Sequence, residues 1–374
     1  MQIVQSRAYR ELRDEARTWL EGNVPRNKRP TDRRGARDFD MSWQALQFAG
    51  GWAGVSWPVE FGGRGLSPLE QLIWFEECVR AGAPSMGCFQ VALGHAGPTI
   101  INAGTPEHQE RFLPGIIQGT QPWCQGFSEP DSGSDLASLR AFGRIEGDQL
   151  VVNGQKTWTT DADVAVFQEM LVRTDADAPK HAGISWIVVD MTSPGITVRP
   201  IKTMDGLADF CECFYEDVRV PLSNVVGGLN NGWHVAMETL AWERGTGYFA
   251  SRIMIMNQVD ELIETAKRRG VIGGDRIGHE LAQLRAESLA VYALGCDGIT
   301  GAAHPQLVQG ANQVFYAQVY QRLARLALEL SGTSGLARTP ELTKYLGAFP
   351  LTIAGGTKDI QKNIVAERVL RLPR

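Results

Sequence analysis

Over roughly the first 120 residues, apolar positions recur at helical spacing and are interrupted by Gly, Pro and Arg. Arg7 to Leu20 carries one such apolar face, Asn23 to Arg37 reads as a loop because of its prolines and arginines, and Ser42 to Ala49 reads as a short helix. Ser67-Pro68-Leu69-Glu70 places a capping hydroxyl, a proline and an acid where a helix begins, and predicts a helix to about Ala81. Thr105-Pro106-Glu107-His108 repeats that start signal ahead of Arg111 to Ile117. From Gln121 to about Val226 the pattern changes to strands. Leu150-Val151-Val152 lies between the turn signals Glu146-Gly147-Asp148 and Asn153-Gly154; Gly183 to Asp190, Ile196 to Ile201 and Phe210 to Val220 follow, with a polar loop at Asp175 to His181. After Asn231-Gly232-Trp233 helical spacing returns over spans near 233–269, 275–300, 306–333, 340–347 and 357–370, the pattern of long antiparallel helices. The expected fold is α+β: a helical domain over 1–120, an antiparallel β-domain over 121–226 and a helical bundle over 227–374.

A chain of 374 residues, 43% hydrophobic and 21% charged, has the composition of a globular protein with two or three packed subdomains. Its net charge of −5 argues against nucleic acid as a partner, while leaving room for a local basic patch. No apolar run approaches membrane-spanning length, and the first twenty residues alternate charged with apolar positions, so the cytoplasm is the expected compartment. The six cysteines form no C-x-x-C pair; Cys211 and Cys213 fall on one face of a strand and are expected to pack as small hydrophobes. No metal ligation is expected. The Gly-rich run Trp57 to Leu66 lacks the Lys-Ser/Thr of a phosphate loop and follows no strand, so it reads as a connector.

The chemistry concentrates between Trp123 and Thr160. Ser128-Glu129-Pro130-Asp131-Ser132-Gly133-Ser134-Asp135 is a loop of small residues whose backbone N–H groups can approach a polar ligand closely. Lys156-Thr157-Trp158-Thr159-Thr160 then sets an indole beside two hydroxyls. An indole of this kind either covers a planar ring whose polar rim meets the hydroxyls, or fills a core. SEPDSGSD followed after one hairpin by NGQKTWTT resembles the flavin-binding signature of the acyl-CoA dehydrogenase family, and Trp57 to Gly65 is similar to that family's WPxEYGGxG stretch. The resemblance covers essentially the whole chain. It implies a helical domain, a β-domain and a four-helix bundle, with FAD between the last two, an acyl-CoA or carrier-bound thioester as substrate, an electron-transfer flavoprotein as electron acceptor, and a homodimer or homotetramer whose neighbouring subunit touches the cofactor.

Desaturating a thioester needs a base for the α-proton, donors for the developing enolate oxygen and a hydride acceptor, which a flavin supplies. By resemblance, Phe127, Ser128, Gly133 and Ser134 contact FAD, Ser134 also meets the acyl thioester, Trp158 flanks the isoalloxazine and Thr160 bonds its edge. Many relatives carry the base in a C-terminal Y-E-G-T-x-x-I-Q motif; here the run Ile353 to Gln361 has Gly355 at the carboxylate position, while Thr357 and Asp359 match positions that reach FAD. In isovaleryl- and long-chain-type relatives the base opens the bundle instead, and there this chain has Leu240-Ala241-Trp242-Glu243-Arg244. The expected base is therefore Glu243, its pKa raised by desolvation. Arg244 would place the substrate and the Gly355 N–H would hold the thioester oxygen. The bland alternative is a Glu-Arg pair on a solvated helix face. Thr246, Gly247 and Ala250 beside Glu243, with Gly355 and Gly356 opposite, either leave room for a branched or polycyclic acyl group or allow close helix packing. The family's R-x-x-F-G pyrophosphate motif survives as Arg269-Gly270-Val271-Ile272-Gly273, with Arg276 a competing candidate, and Glu329 and Gly332 fall where a neighbouring subunit touches the adenine side. Two further readings keep the fold: a non-catalytic or half-active partner in a hetero-oligomer, and a relative that oxygenates or eliminates a β-substituent.

Overall fold

A computed structural model describes residues 6–243, 249–273, 275–301 and 305–373. Helices α1 (Arg7–Asn23), α2 (Arg33–Ala49), α3 (Pro68–Ala81), α4 (Gly97–Ala103) and α5 (Pro106–Ile117) come first. Strands β1 (Trp123–Gly126), β2 (Phe142–Glu146), β3 (Gln149–Thr160), β4 (Phe167–Arg173), β5 (Ile184–Asp190), β6 (Ile196–Ile201), β7 (Phe210–Pro221) and β8 (Val225–Val226) follow. The chain ends in α6 (Gly232–Glu243), α7 (Phe249–Arg268), α8 (Asp275–Thr300), α9 (Pro305–Leu330), α10 (Pro340–Leu346) and α11 (Lys358–Ile364).

The start signals act as the sequence predicts. Glu70 Oε2 accepts from Ser67 N at 2.7 Å, and His108 Nδ1 accepts from Thr105 N at 3.0 Å, so each helix begins at its proline with the free donor ahead of it satisfied. The expected loop at Asn23 to Arg37 is shorter than predicted. Asp32 Oδ1 accepts from Gly35 N at 2.8 Å and starts α2 at Arg33, nine residues ahead of the predicted Ser42. Ala36, Asp40, Trp43 and Gln44 form its buried face, and the arginines that suggested a loop occupy the other positions of its first turns. The expected span 233–269 is described as α6 and α7, with residues 244–248 outside the described residues.

The strands form one sheet in the order β6-β7-β3-β2-β4-β5-β8, with β1 beside β4. It is mixed rather than purely antiparallel, because β1 runs parallel to β4, from Trp123 opposite Phe167 to Gly126 opposite Met170. Alternation sorts its side chains. Trp123, Leu171, Ile184, Trp186 and Val188 face Ile100, Phe112, Ile116, Val235 and Ala236 of the helices, and Cys124, Met170, Val172, Ile187, Val189, Cys211, Cys213 and Tyr215 make the opposite core. Both Cys211 and Cys213 are fully buried among apolar neighbours, as their spacing predicts. A third core of Ile255, Val259, Leu262, Leu284, Val291, Val319 and Leu326 joins α7, α8 and α9. Among the described residues no helix is long and apolar enough to cross a membrane.

The start of α6 rests directly on β5. A Cβ at Gly232 would lie 2.3 Å from the Ser185 carbonyl carbon and the Trp186 nitrogen, so only glycine lets the helix seat there. Asn230 N, just ahead, donates to Ser185 Oγ at 2.8 Å. We expect Gly232→Ala to lower unfolding free energy by about 1–3 kcal/mol through forced displacement of α6. Urea denaturation checks this, and an unchanged midpoint would show that the contact does not seat the helix.

Candidate active site

The site is built on a fault in the ladder between β3 and β7. Lys156 pairs with Cys213 and Thr159 with Cys211, so three steps along β3 match two along β7. Without this bulge, strict alternation would put Trp158 on the same buried face as Lys156. With it, Lys156 and Thr159 are fully buried while Trp158, at φ 57°, turns out with 58% of its surface exposed. A positive φ strains a residue of this size, and such strain persists only where the surroundings impose it. Phe210 supports the indole edge-to-face, with centroids 6.0 Å apart. Of the two readings of this indole, the core-filling one is excluded.

The small-residue loop is tied to the same strand. Lys156 Nζ donates to Glu129 Oε1 at 2.8 Å and to the Phe127 carbonyl at 3.1 Å. Arg140 N and Ala141 N donate to the same carboxylate at 2.7 and 2.9 Å, and Thr157 N donates to the Ser128 carbonyl at 2.9 Å. Glu129 and Ser132 exchange backbone hydrogen bonds, and Ser132 Oγ donates to the Asp135 carbonyl at 2.9 Å. The loop is therefore rigid at its base. Phe127 is buried, Ser128 and Thr160 are partly exposed, and Gly133 and Ser134 are exposed at the tip. The structure thus brings Phe127 and Ser128 beside the end of β3 that carries Trp158 and Thr160, whereas Gly133 and Ser134 stay at the exposed tip of the loop.

Beyond Thr160 the chain is clamped by Arg33 of α2, which reaches Asp161 and Asp163 at 2.6 Å and Asp209 at 2.9 Å. Sequence reasoning did not find Arg33, Glu129 or Lys156. A lone lysine in a strand two residues from a tryptophan, and a glutamate beside two aspartates in a loop of small residues, were the available signals.

The bundle residues are placed as follows. Thr357 caps α11 by accepting from Ile360 N at 3.3 Å, and Asp359 is exposed in the first turn of that helix. Gly355 and Gly356 have φ of 69° and 94°, and Gln361 Nε2 donates to the Gly355 carbonyl at 2.7 Å. A side chain at Gly355 would be strained in that backbone region, which suits a position without a carboxylate. Arg269 is exposed just past α7, and Ile272, where the family motif has its aromatic, packs into the bundle core. Arg276, the competing candidate, forms an ion pair with Glu329 and reaches Glu280 at 3.5 Å, while Gly332 begins the turn after α9. The backbone of Glu243 closes α6, but its side chain lies outside the described residues, as do Arg244, Thr246 and Gly247. One turn before it, the buried Thr239 Oγ1 meets Thr99 Oγ1 of α4 at 2.9 Å.

Residues 6–120, 124–218 and 230–370 match, in turn, the N-terminal, middle and C-terminal domains of acyl-CoA dehydrogenase. The chain belongs to the acyl-CoA dehydrogenase family. Members of that family are FAD-dependent oxidoreductases. This acyl-CoA dehydrogenase is 36% identical over 378 residues to acyl-CoA dehydrogenase IpdE1 of Mycobacterium tuberculosis, covering 97% of this chain and 98% of that one. Among solved structures it is similar to the Tcur3481-Tcur3483 steroid ACAD, with 29% identity, a TM-score of 0.87 and 100% of both chains covered. It is also similar to the ChsE4-ChsE5 complex of Mycobacterium tuberculosis, with 31% identity, a TM-score of 0.83 and 100% of both chains covered.

Burial pushes the Lys156 ammonium down to about 8 from its ordinary 10.5, with Glu129 opposing the shift. Between those values the unfolded chain binds a proton that the native one has released, so stability rises with pH across that window. We expect Lys156→Met, which leaves the buried Glu129 carboxylate without its cation though still bonded to Arg140 N and Ala141 N, to cost about 3 kcal/mol. The gap between wild type and variant should widen from pH 8 to 10.5, followed by denaturation at each pH; a gap that narrows would contradict the assignment.

Proposed function

We propose that this chain desaturates the α,β bond of an acyl thioester whose acyl group is branched or bulky, using FAD, with Glu243 as the base. The observation that carries the reading is the indole of Trp158, turned out by the bulge beside a loop pinned to the same strand. An exposed aromatic plane with a partly exposed hydroxyl two residues on suits a planar ring with a polar rim, so the residues present fit FAD. When bound, FAD supplies the acceptor for the β-hydride.

The chain's own groups do the rest. Trp158 covers the ring, Thr160 meets its edge, and Phe127, Ser128, Gly133 and Ser134 hold it from the loop side, Ser134 also facing the thioester. Thr357, Asp359 and Arg269 hold the cofactor from the bundle, and Glu329 and Gly332 serve the adenine side across a subunit boundary. Glu243 removes the α-proton, Arg244 places the substrate, and the Gly355 N–H steadies the thioester oxygen as charge develops on it. Electrons leave to an electron-transfer flavoprotein. The substrate is carried on CoA or on a carrier protein, and the assembly is a dimer or tetramer of this chain.

A second reading makes the chain one half of a hetero-oligomer. Two observations favour it: Glu329 is engaged by Arg276 of its own chain, and two similar solved structures are named as pairs of different chains. The purified single chain separates the readings. Under the leading one it binds FAD, and a branched or polycyclic acyl-CoA bleaches the flavin. Glu243→Gln slows that bleaching by about 100-fold or more. Flavin retained but bleached at an unchanged rate would remove Glu243 as the base, and a single chain that holds no flavin would favour the hetero-oligomer.

A further inference from the structure

The three acids that meet Arg33 flank the end of one ladder. Asp161 and Asp163 follow the last residue of β3, and Asp209 precedes the first residue of β7. The two strands close with Thr160 opposite Phe210. Past that pair Asp161 N donates to the Asp209 carbonyl at 2.9 Å. All three guanidinium nitrogens of Arg33 are engaged there: Nε and Nη2 with Asp163 at 2.9 and 2.6 Å, Nη2 also with Asp161 at 2.6 Å, and Nη1 with Asp209 at 2.9 Å. The planar fork thus ties the two strand ends together where the ladder stops.

Both aromatic side chains of the site stand next to those ends. Phe210 adjoins Asp209 and packs edge-to-face on Trp158, with centroids 6.0 Å apart, and Trp158 comes three residues before Asp161. Trp158 and Asp161 have φ of 57° and 61°, so two residues other than glycine occupy the left-handed region within one short run. Such a conformation persists only where the contacts around it impose it. Lys156 holds the run from its N-terminal side, through Glu129 and the Phe127 carbonyl. Arg33 holds it from the C-terminal side, and from another domain. It opens α2, which is fixed to the N-terminal helices where Gln44 Nε2 donates to the Ile117 carbonyl at 2.9 Å and where Cys88 N donates to Asp40 Oδ2 at 3.0 Å. A cation in the first turn of a helix opposes the helix dipole, and the first turn of α2 has no acid to answer it. The aspartates of the β-domain supply the compensation. Without the guanidinium, three carboxylates would face one another.

We propose that Arg33 is a positioning residue for the flavin: by tying the ends of β3 and β7 it holds the Phe210–Trp158 pair in the orientation in which the indole meets the isoalloxazine. This rests on the FAD reading above. The N-terminal domain thereby shapes the flavin wall through Trp158. A lysine at this position would keep the charge and lose the fork, since one ammonium replaces three nitrogens spread in a plane.

The test is a double-mutant cycle on FAD binding by the flavin-free protein, read by dissociation constant and by the visible spectrum of the bound flavin. Arg33→Met should weaken FAD binding about two- to fivefold and move the flavin bands toward those of free flavin. In a Trp158→Ala background the same substitution should cost less than about 1.5-fold, and Arg33→Lys should fall between wild type and Arg33→Met. Asp209→Asn removes only one half-exposed carboxylate and should give a smaller loss of the same kind. Melting temperatures report whether each variant is folded, and if Arg33→Met unfolds, the cycle is run with Asp209→Asn. An equal loss in both backgrounds, or wild-type affinity and spectrum in the folded variants, would overturn the positioning role and leave the flavin site in place. A Trp158→Ala variant with unchanged affinity and spectrum, or a chain that takes up no FAD, would overturn the FAD reading for this chain and the positioning role with it.

Discussion

A lysine ammonium buried in the sheet sets the register of the candidate site. Lys156 keeps its hydrogen bonds to Glu129 and to the Phe127 carbonyl only while it faces inward, and the next inward position on β3 is Thr159 rather than Trp158. The extra residue is absorbed as a bulge, and the indole is turned to the surface. One ion pair therefore has two effects: it holds the base of the small-residue loop, and the register it keeps turns the aromatic outward. A buried pair of this kind is weak evidence for stability, and its worth lies in the single arrangement it permits.

The second constraint brings the helices to the sheet. Gly232 lets α6 start against the backbone of β5, and the Thr99–Thr239 contact holds the far end of α6 to α4. The helix that ends at Glu243 is thus fixed by the sheet at one end and by the N-terminal helices at the other. His95, Gln125 and Glu169 meet one another from the π turn Ala92–Ala96, β1 and β4, on the sheet face that carries Trp123 and Leu171.

Much of this was legible in the sequence because it is encoded locally. The caps at Ser67 and Thr105, the strand at Phe210 to Pro221 and the inward pair Cys211 and Cys213 each depend on residues within a few positions of one another. The length of α2 was hidden because its arginines read as loop, although Asp32 supplies the cap. The parallel pairing of β1 with β4 joins segments some forty residues apart and leaves no local pattern. The orientation of Trp158 was undecidable from alternation, since a bulge shifts the count by one without changing composition. Arg33 meets its three aspartates across more than a hundred residues, and His95 meets Gln125 and Glu169 from a different element, so neither cluster has a motif to find. The family motif located the loop and the indole, and the physical reason for their arrangement came from Lys156 and Glu129, two of the motif's charged members.

The central claim is that the outward indole at the bulge is a wall of the flavin site. Its most direct test is titration of the flavin-free protein with FAD, comparing wild type with Trp158→Ala by dissociation constant and by the visible spectrum of the bound flavin. Removing an aromatic contact of this kind is worth about 0.5–1.5 kcal/mol, so the variant should bind FAD about two- to tenfold more weakly and its flavin bands should shift toward those of free flavin. Equal affinity with an unchanged spectrum would contradict the account.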